Sequence, residues 1–182
     1  MQCIPRLPAI RRFEPRDLPV AMILQTDTYP AFLREDAEAF ASRLRLSASY
    51  CLVAERNGVV IAYLLAHGWI PQSPPPVGSV LADTAGEVLF VHDLAVSVAG
   101  RGLNIGRPLV SHAFASAGRD GLLQAELIAV EKAAGYWRAL GFAEEPVSPD
   151  LAVKIATYGP EARWMTRSIS DFFPKHDENL AS

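Results

Sequence analysis

The stretch that decides the fold is Val88-Leu89-Phe90-Val91-His92-Asp93-Leu94-Ala95-Val96, followed closely by Gly100-Arg101-Gly102-Leu103-Asn104-Ile105-Gly106-Arg107. Its apolar first part predicts a strand, and its second part predicts a glycine-containing turn that leads into a helix. The first N–H groups of a helix have no partner within the helix, and the helix dipole adds partial positive charge there. We therefore expect an anion, most often a phosphate, to bind at this turn, with Arg101 and Arg107 beside it.

The composition is that of an ordinary globular protein. The 182 residues can enclose a sizeable core, and half of them are hydrophobic while a fifth are charged. We predict a single domain over residues 1–170 and a polar, mobile tail over residues 171–182.

Charge, cysteine content and hydropathy argue against several classes of protein. The formal net charge of −3 disfavours a surface for nucleic acid. Cys3 and Cys51 form neither a disulfide framework nor a metal motif. The longest apolar run, residues 59–70, falls short of the ~20 residues of a membrane helix, and residues 1–6 do not resemble a signal peptide. We therefore expect a cytoplasmic protein that binds no nucleic acid, no metal and no membrane.

The periodicity of apolar residues predicts a mixed α/β (α+β) arrangement. Strands are expected at residues 9–14, 50–55, 59–65, 86–96, 122–130 and 163–169, and helices at 17–25, 34–46, from near Asn104 onward, and at 133–140. Asn57-Gly58 predicts a tight hairpin, and the proline-rich residues 71–86 are expected to form a loop. The predicted order is β-α-α-β-β-β-α-β-α-β-β, with helices on the faces of one sheet.

Three segments give the chain a resemblance to the GNAT superfamily of acyl-CoA-dependent N-acetyltransferases, over roughly residues 9–169. His92-Asp93-Leu94-Ala95-Val96 resembles the fourth strand of the family, and Arg101-Gly102-Leu103-Asn104-Ile105-Gly106 resembles its pyrophosphate loop. Tyr136-Trp137-Arg138-Ala139-Leu140-Gly141-Phe142 resembles its aromatic segment. The resemblance implies a mixed, mostly antiparallel sheet of about seven strands, flanked by about four helices.

The resemblance also implies the reaction, which is direct transfer of an acetyl group from acetyl-CoA to a primary amine in a ternary complex. The backbone of Leu94, Ala95 and Val96 would pair with the pantetheine arm, and its N–H groups would polarise the thioester carbonyl. The N–H groups of residues 101–107 would surround the pyrophosphate, and Trp137 would form a wall near the thioester. Relatives often dimerise, so a homodimer is compatible with the resemblance.

Two positions depart from the pattern of the family. Asn104 replaces the first glycine of the loop, and asparagine tolerates the left-handed backbone of such a turn. Trp137 stands where many members have the tyrosine that protonates the leaving thiolate, and an indole N–H is too weak an acid for this step. Tyr136, Tyr63 and Tyr158 are the alternative phenols. A non-catalytic CoA-binding or regulatory module is the alternative function.

The acceptor amine must lose a proton before it attacks the thioester, so a base is expected near the fourth strand. Glu87, His92 and Asp93 are the candidates, and His92 has the ordinary pKa closest to neutrality. Regular alternation places Glu87 and Asp93 on one face and His92 on the other, unless a bulge intervenes. His92 and Asp93 could equally brace the strand through structural hydrogen bonds, and Glu87 could be a solvated residue at its end.

A weaker alternative interprets Gly100, Gly102 and Gly106 as the turn of a dinucleotide-binding oxidoreductase. Such a turn normally follows the first strand of a βαβ unit, and an acidic residue about 20 positions later binds the ribose. Here the preceding strand is the fourth of the chain, and Glu126 is the acidic candidate at that distance. The pattern therefore favours the CoA site.

Overall fold

The structure is a computed structural model and describes residues 7–170, so the predicted tail lies outside the described residues. Its strands are β1 (Ala9–Arg12), β2 (Leu52–Arg56), β3 (Val59–Trp69), β4 (Val88–Val96), β5 (Gln124–Ala129), β6 (Ala143–Glu144) and β7 (Arg163–Ser168). They form one sheet in the order β1-β2-β3-β4-β5-β7-β6. Only β4 and β5 pair in parallel among these strands, which confirms the mixed, mostly antiparallel sheet.

The helices of this part of the chain are α1 (Leu18–Thr28), α2 (Ala37–Arg45), α3 (Gly106–Arg119), α4 (Ala134–Ala139) and α5 (Pro149–Ala156). Helix α3 covers one face of the sheet with an apolar stripe that includes Leu109, Ala113 and Phe114. Helices α1 and α2 cover the other face around Phe40 and Tyr63. Within residues 7–170, none of the helices combines the length and hydropathy that a membrane span requires.

Most boundaries of the predicted elements shift by a few residues for local reasons. Helix α2 begins at Ala37 and not near residue 34, because Asp36 caps it by accepting a hydrogen bond from the Ala39 N–H. Helix α3 begins at Gly106 and not near Asn104, because Asn104 has a φ of +52° and cannot be helical. The Asn57-Gly58 hairpin forms as expected, with φ of +53° and +78°.

Helix α5 was not predicted from the sequence, nor were the residues of the two-residue strand β6. The side chain of Ser148 caps α5, Pro149 occupies its first position, and Leu151 and Ile155 are buried one turn apart. These are ordinary signals for the start of a helix, and they add a fifth helix to the four that the resemblance implies.

Strand β4 contains a bulge that decides which side chains meet. Asp93 pairs with Leu65 and Val91 with the next residue of β3, so His92 is an extra residue in β4. The bulge cancels the alternation between neighbours, and the side chains of His92 and Asp93 both lie on the face covered by α1 and α2, where Asp93 contacts Tyr63. The bulge therefore decides which face of the sheet His92 and Asp93 occupy, which the sequence had left open.

Candidate active site

Strands β4 and β5 separate after a short parallel contact, and this leaves one edge of β4 open. The two strands pair only at Leu89 and Phe90 of β4. Ser97 donates its N–H to Ile61 of β3, so alternation directs the N–H groups of Leu94 and Val96 towards the open edge. The resemblance assigns the backbone of Leu94, Ala95 and Val96 to the pantetheine arm and the thioester carbonyl. Of the three N–H groups, that of Ala95 is directed towards β3 and so is not available at the open edge.

A cavity of about 250 Å³ lies beside this open edge. Its exposed lining residues Thr28, Glu131 and Tyr136 mark a mouth between the end of α1 and the start of α4. Its buried lining residues include Leu33, Phe90 and Tyr158, which mark a deep end.

The loop that precedes α3 has the properties of an anion site. Gly102 and Asn104 adopt φ of +79° and +52°, which turns the backbone sharply. Helix α3 has no side-chain cap and no acidic residue in its first turn. Within residues 7–170, no acceptor pairs with the backbone N–H groups of Gly102, Asn104, Ile105, Gly106 and Arg107. These unpaired donors, with Arg101 and Arg107 exposed beside them, fit the pyrophosphate of coenzyme A.

Tyr136 and Trp137 occupy different positions relative to this loop. The hydroxyl of Tyr136 lies against the backbone of Gly106, where a Cβ atom would overlap it. Trp137 is buried, packs edge-on against Phe142 with ring centroids 5.5 Å apart, and contributes to the cavity wall. The first aromatic residue of the segment therefore lies at the end of the cavity nearest α3, and the second is a wall.

Tyr136 is the cavity phenol whose proton has no acceptor in the described chain. Tyr29 donates to the Leu94 carbonyl at 2.8 Å, and Tyr158 donates to the Pro75 carbonyl. Tyr63, which lies behind the cavity, donates to Asp93. Burial raises the pKa of Tyr136, so its hydroxyl is protonated at neutral pH.

Asp93 is a lining residue of the cavity, and only one of its two carboxylate oxygens has a hydrogen-bond partner. Its Oδ2 accepts the Tyr63 hydroxyl at 2.6 Å, while its buried Oδ1 has no hydrogen-bond partner. Burial raises the pKa of Asp93 to about 6, and nearby Glu35 acts in the same direction. The neighbouring hydroxyls of Tyr29 and Tyr63 and the charge of Arg43 oppose this rise. The group is therefore a carboxylate that titrates just below neutrality.

His92 is held by a buried ion pair that the sequence did not reveal. Its Nε2 lies 2.9 Å from Oε2 of Glu35, whose Oε1 lies 2.7 Å from Nη2 of Arg43. The Gly78 N–H also donates to Glu35 at 2.6 Å. Nε2 of His92 also lies 3.0 Å from Nη2 of Arg43, and Nδ1 is buried without a hydrogen-bond partner in the described chain.

The charge states of His92 and Glu35 follow from their burial and from the charges beside them. Burial and the charge of Arg43 both lower the pKa of His92, so its imidazole is neutral at pH 7. Burial opposes ionisation of Glu35, but the charges and hydrogen bonds of His92 and Arg43 lower its pKa to about 2. His92 is charged only below its own lowered pKa, so at pH 7 the cation paired with Glu35 is Arg43.

Glu87 is the one candidate base that the structure does not bring to the cavity. It precedes β4, its side chain is exposed, and its backbone N–H donates to the Trp69 carbonyl. We therefore exclude it from the site. Glu126 is likewise buried and accepts the Gln72 N–H, so it cannot bind a ribose at the turn before α3.

Two residues of the site, Glu35 and Arg43, were not predicted. Arg43 is three positions after the buried Phe40 on α2, so the two share one helix face. A charged residue on this apolar face could have indicated a buried ion pair. Glu35 lies between α1 and α2, at the start of the helix that the periodicity predicts over residues 34–46, and nothing in the sequence distinguished it from a solvated residue of that helix.

Comparison with known proteins identifies a family. The family model described as "Acetyltransferase (GNAT) family" matches residues 18–142. No curated protein sequence matches the chain. Among solved structures, the ribosomal-protein-S18-alanine N-acetyltransferase of Escherichia coli is similar over 97% of this chain and 100% of its own, with a TM-score of 0.64 and 18% identity.

Two further structures are similar at the level of the fold. Naa50 of Arabidopsis thaliana, solved with the bisubstrate analogue CoA-Ac-MVNAL, is 14% identical over 90% of this chain and 99% of its own, with a TM-score of 0.64. The loading GNATL domain of CurA from Lyngbya majuscula is 10% identical over 91% of this chain and 100% of its own, with a TM-score of 0.71. At such low identity these structures indicate a shared fold only.

Proposed function

Because this chain belongs to the GNAT family of acetyltransferases, we propose that it transfers the acetyl group of acetyl-CoA to a primary amine in a ternary complex. The observation that carries the proposal is the cavity beside the open edge of β4. Its lining includes Leu94 of the open edge, Tyr136, whose hydroxyl lies against Gly106 of the loop with unpaired N–H groups, and Asp93, whose Oδ1 has no hydrogen-bond partner. A phosphate-bearing thioester and an amine could therefore meet there.

Acetyl-CoA is the co-substrate that the family uses, and main-chain donors would hold it. The N–H groups of residues 102 and 104–107 would bind the pyrophosphate, with Arg101 and Arg107 adding positive charge. The pantetheine arm would extend along the open edge of β4. The Leu94 N–H would donate to the thioester oxygen, which gains negative charge as the amine attacks.

Asp93 is the base that we assign. A base works best when its pKa lies near the pH of the reaction, and a carboxylate with a pKa of about 6 is mostly ionised at pH 7. The Asp93 carboxylate would take, directly or through a water, the proton that the ammonium form of the acceptor must lose before its nitrogen bonds to the thioester carbon.

Tyr136 is the acid that we assign in place of Trp137. When the tetrahedral intermediate collapses, the C–S bond breaks and its electron pair goes to sulfur. The Tyr136 hydroxyl would give that sulfur a proton and regain one from the acceptor nitrogen, which loses its second proton as the amide forms. Tyr136 lines the cavity and has no other acceptor in the described chain. Tyr63 and Tyr158 are unsuitable because both already donate hydrogen bonds to protein oxygens.

The experiment measures binding and turnover separately. Calorimetry with acetyl-CoA should show binding, and release of free thiol should depend on an added amine. Absence of both heat and thermal shift at millimolar acetyl-CoA would contradict the proposal. Binding without thiol release across amines, amino acids and peptides would instead support the alternative of a non-catalytic CoA-binding module, which Trp137 at the tyrosine position favours. The homodimer and the cytoplasmic location stay predictions.

A further inference from the structure

We propose that the acceptor is a compact primary amine on an apolar body, without a carboxylate beside the amine. This inference rests on the proposed acetyl transfer and names the class of its second substrate. It is carried by three features of the deep end of the cavity, which are its apolar wall, its charges and its roof.

The wall of the deep end is apolar. Leu33, Phe90, Ile128 and Tyr158 line it, and each is at least nine-tenths buried within one apolar cluster. Burial of an apolar group against such a wall is favourable by about 25 cal/mol for each Å² removed from water. A hydrophilic body would lose its hydration there and gain few partners.

The charges of the cavity suit a cation and oppose an anion. Glu35, Asp93 and Glu131 line it, and within the described chain no lysine or arginine does. Arg43 lies behind the wall, fully buried and bonded to Glu35. A carboxylate next to the acceptor amine would therefore lie close to Asp93 without any cation to pair with it, which is costly in a buried site.

The roof of the deep end consists of three segments that are bonded to one another. Tyr158, which follows α5, donates to the Pro75 carbonyl of the proline-rich loop. Gly78 of the same loop donates to Glu35, which precedes α2, at 2.6 Å. Since the mouth of the cavity lies towards the cofactor loop, a chain that continues beyond the amine would meet this roof. The cavity of about 250 Å³ is also below the usual range for ligand sites, roughly 300 to 1,000 Å³.

The test compares three acceptors that share one aromatic body. These are 2-phenylethylamine, phenylalanine, which adds the carboxylate, and a short amidated peptide that begins with phenylalanine. With saturating acetyl-CoA, kcat/KM from thiol release should be at least tenfold higher for the amine than for the other two. Equal or better turnover of phenylalanine or the peptide would overturn this inference and leave acetyl transfer standing.

A polar amine of similar size and a polyamine complete the panel. If only these two are acetylated, the apolar body is wrong while the enzyme class holds. If no acceptor of any class releases thiol, the proposed function itself fails, and the inference fails with it. Mass spectrometry of the product distinguishes acetylation of the acceptor from hydrolysis of acetyl-CoA.

Two pairs of variants test the charge and the roof. V77R places a cation on the cavity wall and should raise the ratio of kcat/KM for phenylalanine over phenylethylamine at least fivefold. V80R puts the same charge at an exposed position of the same loop and should leave the ratio unchanged. Y158A should raise kcat/KM for the peptide relative to Y158F, which keeps the ring in the roof. Unchanged ratios in both pairs would contradict the inference.

Discussion

The two ends of the cavity are built in different ways. At the cofactor end the groups that matter are backbone N–H donors, contributed by one continuous stretch from β4 to the start of α3. At the acceptor end they are side chains from separate elements, with Glu35 before α2, Arg43 on α2, His92 and Asp93 on β4, and Tyr158 after α5. The first end depends on backbone conformation, while the second depends on charges held in a buried setting.

The largest effect that we predict is on stability, where the acceptor end depends on a buried ion pair and the cofactor end does not. Arg43→Ala tests this dependence. Removal of the guanidinium leaves the buried Glu35 without its cation. Breaking a buried pair in this way typically costs about 3–5 kcal/mol, so the free energy of unfolding in urea should fall by that amount. Arg45→Ala is the matched control, because the same helix pairs Arg45 with Glu38 on its exposed side, and it should cost less than about 1 kcal/mol. Similar losses in both variants would mean that the buried pair is not special.

A second test concerns catalysis at the acceptor end. Asp93→Asn should lower kcat about 100-fold or more, which is the usual contribution of a positioned base. A base must be deprotonated to act, so in the native protein kcat/KM should rise with pH through about 6. This rise should disappear in the variant. Asp120→Asn is the control, since Asp120 accepts the Tyr50 hydroxyl away from the cavity. If kcat/KM of Asp93→Asn still rose with pH through the same range, we would assign the base to His92 instead.

The cofactor end should respond to crowding of its backbone. Gly106→Leu places a side chain where the Tyr136 hydroxyl lies, at the start of α3. We expect the affinity for acetyl-CoA to fall at least tenfold, about 1.4 kcal/mol, while the free energy of unfolding changes less, because the Tyr136 side chain can move aside. Gly135→Ala is the control, since a Cβ atom there meets no other atom within 4 Å. Unchanged affinity in Gly106→Leu would contradict the placement of the cofactor.

The same difference explains what could be predicted from the sequence. At the cofactor end the strand, the turn and the start of the helix were predicted to within a few residues, because they leave a local pattern, and the tolerance of Asn104 for a left-handed backbone was foreseen. That these residues bind coenzyme A stays a prediction. Alternation alone could not fix the orientation of His92 and Asp93, because one bulge reverses every following side chain. Glu35 was beyond reach, since its role comes from contacts with Arg43 and His92, respectively 8 and 57 positions away.

The smallest effect that we predict connects the acceptor end to the core of the sheet. The Tyr63 hydroxyl donates to Oδ2 of Asp93 and thereby stabilises the ionised carboxylate. Tyr63→Phe removes this hydroxyl and should raise the pKa of Asp93. A hydrogen bond to a charged group is worth roughly 1.5 kcal/mol, and 1.36 kcal/mol corresponds to one pKa unit. The rise of kcat/KM should therefore move from about pH 6 to higher pH by up to about one unit. Tyr50→Phe removes a comparable bond to Asp120 and should leave the profile in place. Because the two variants lose the same chemistry, a shift in Tyr63→Phe alone would assign the titrating group to Asp93, whereas no shift in either would place the base elsewhere.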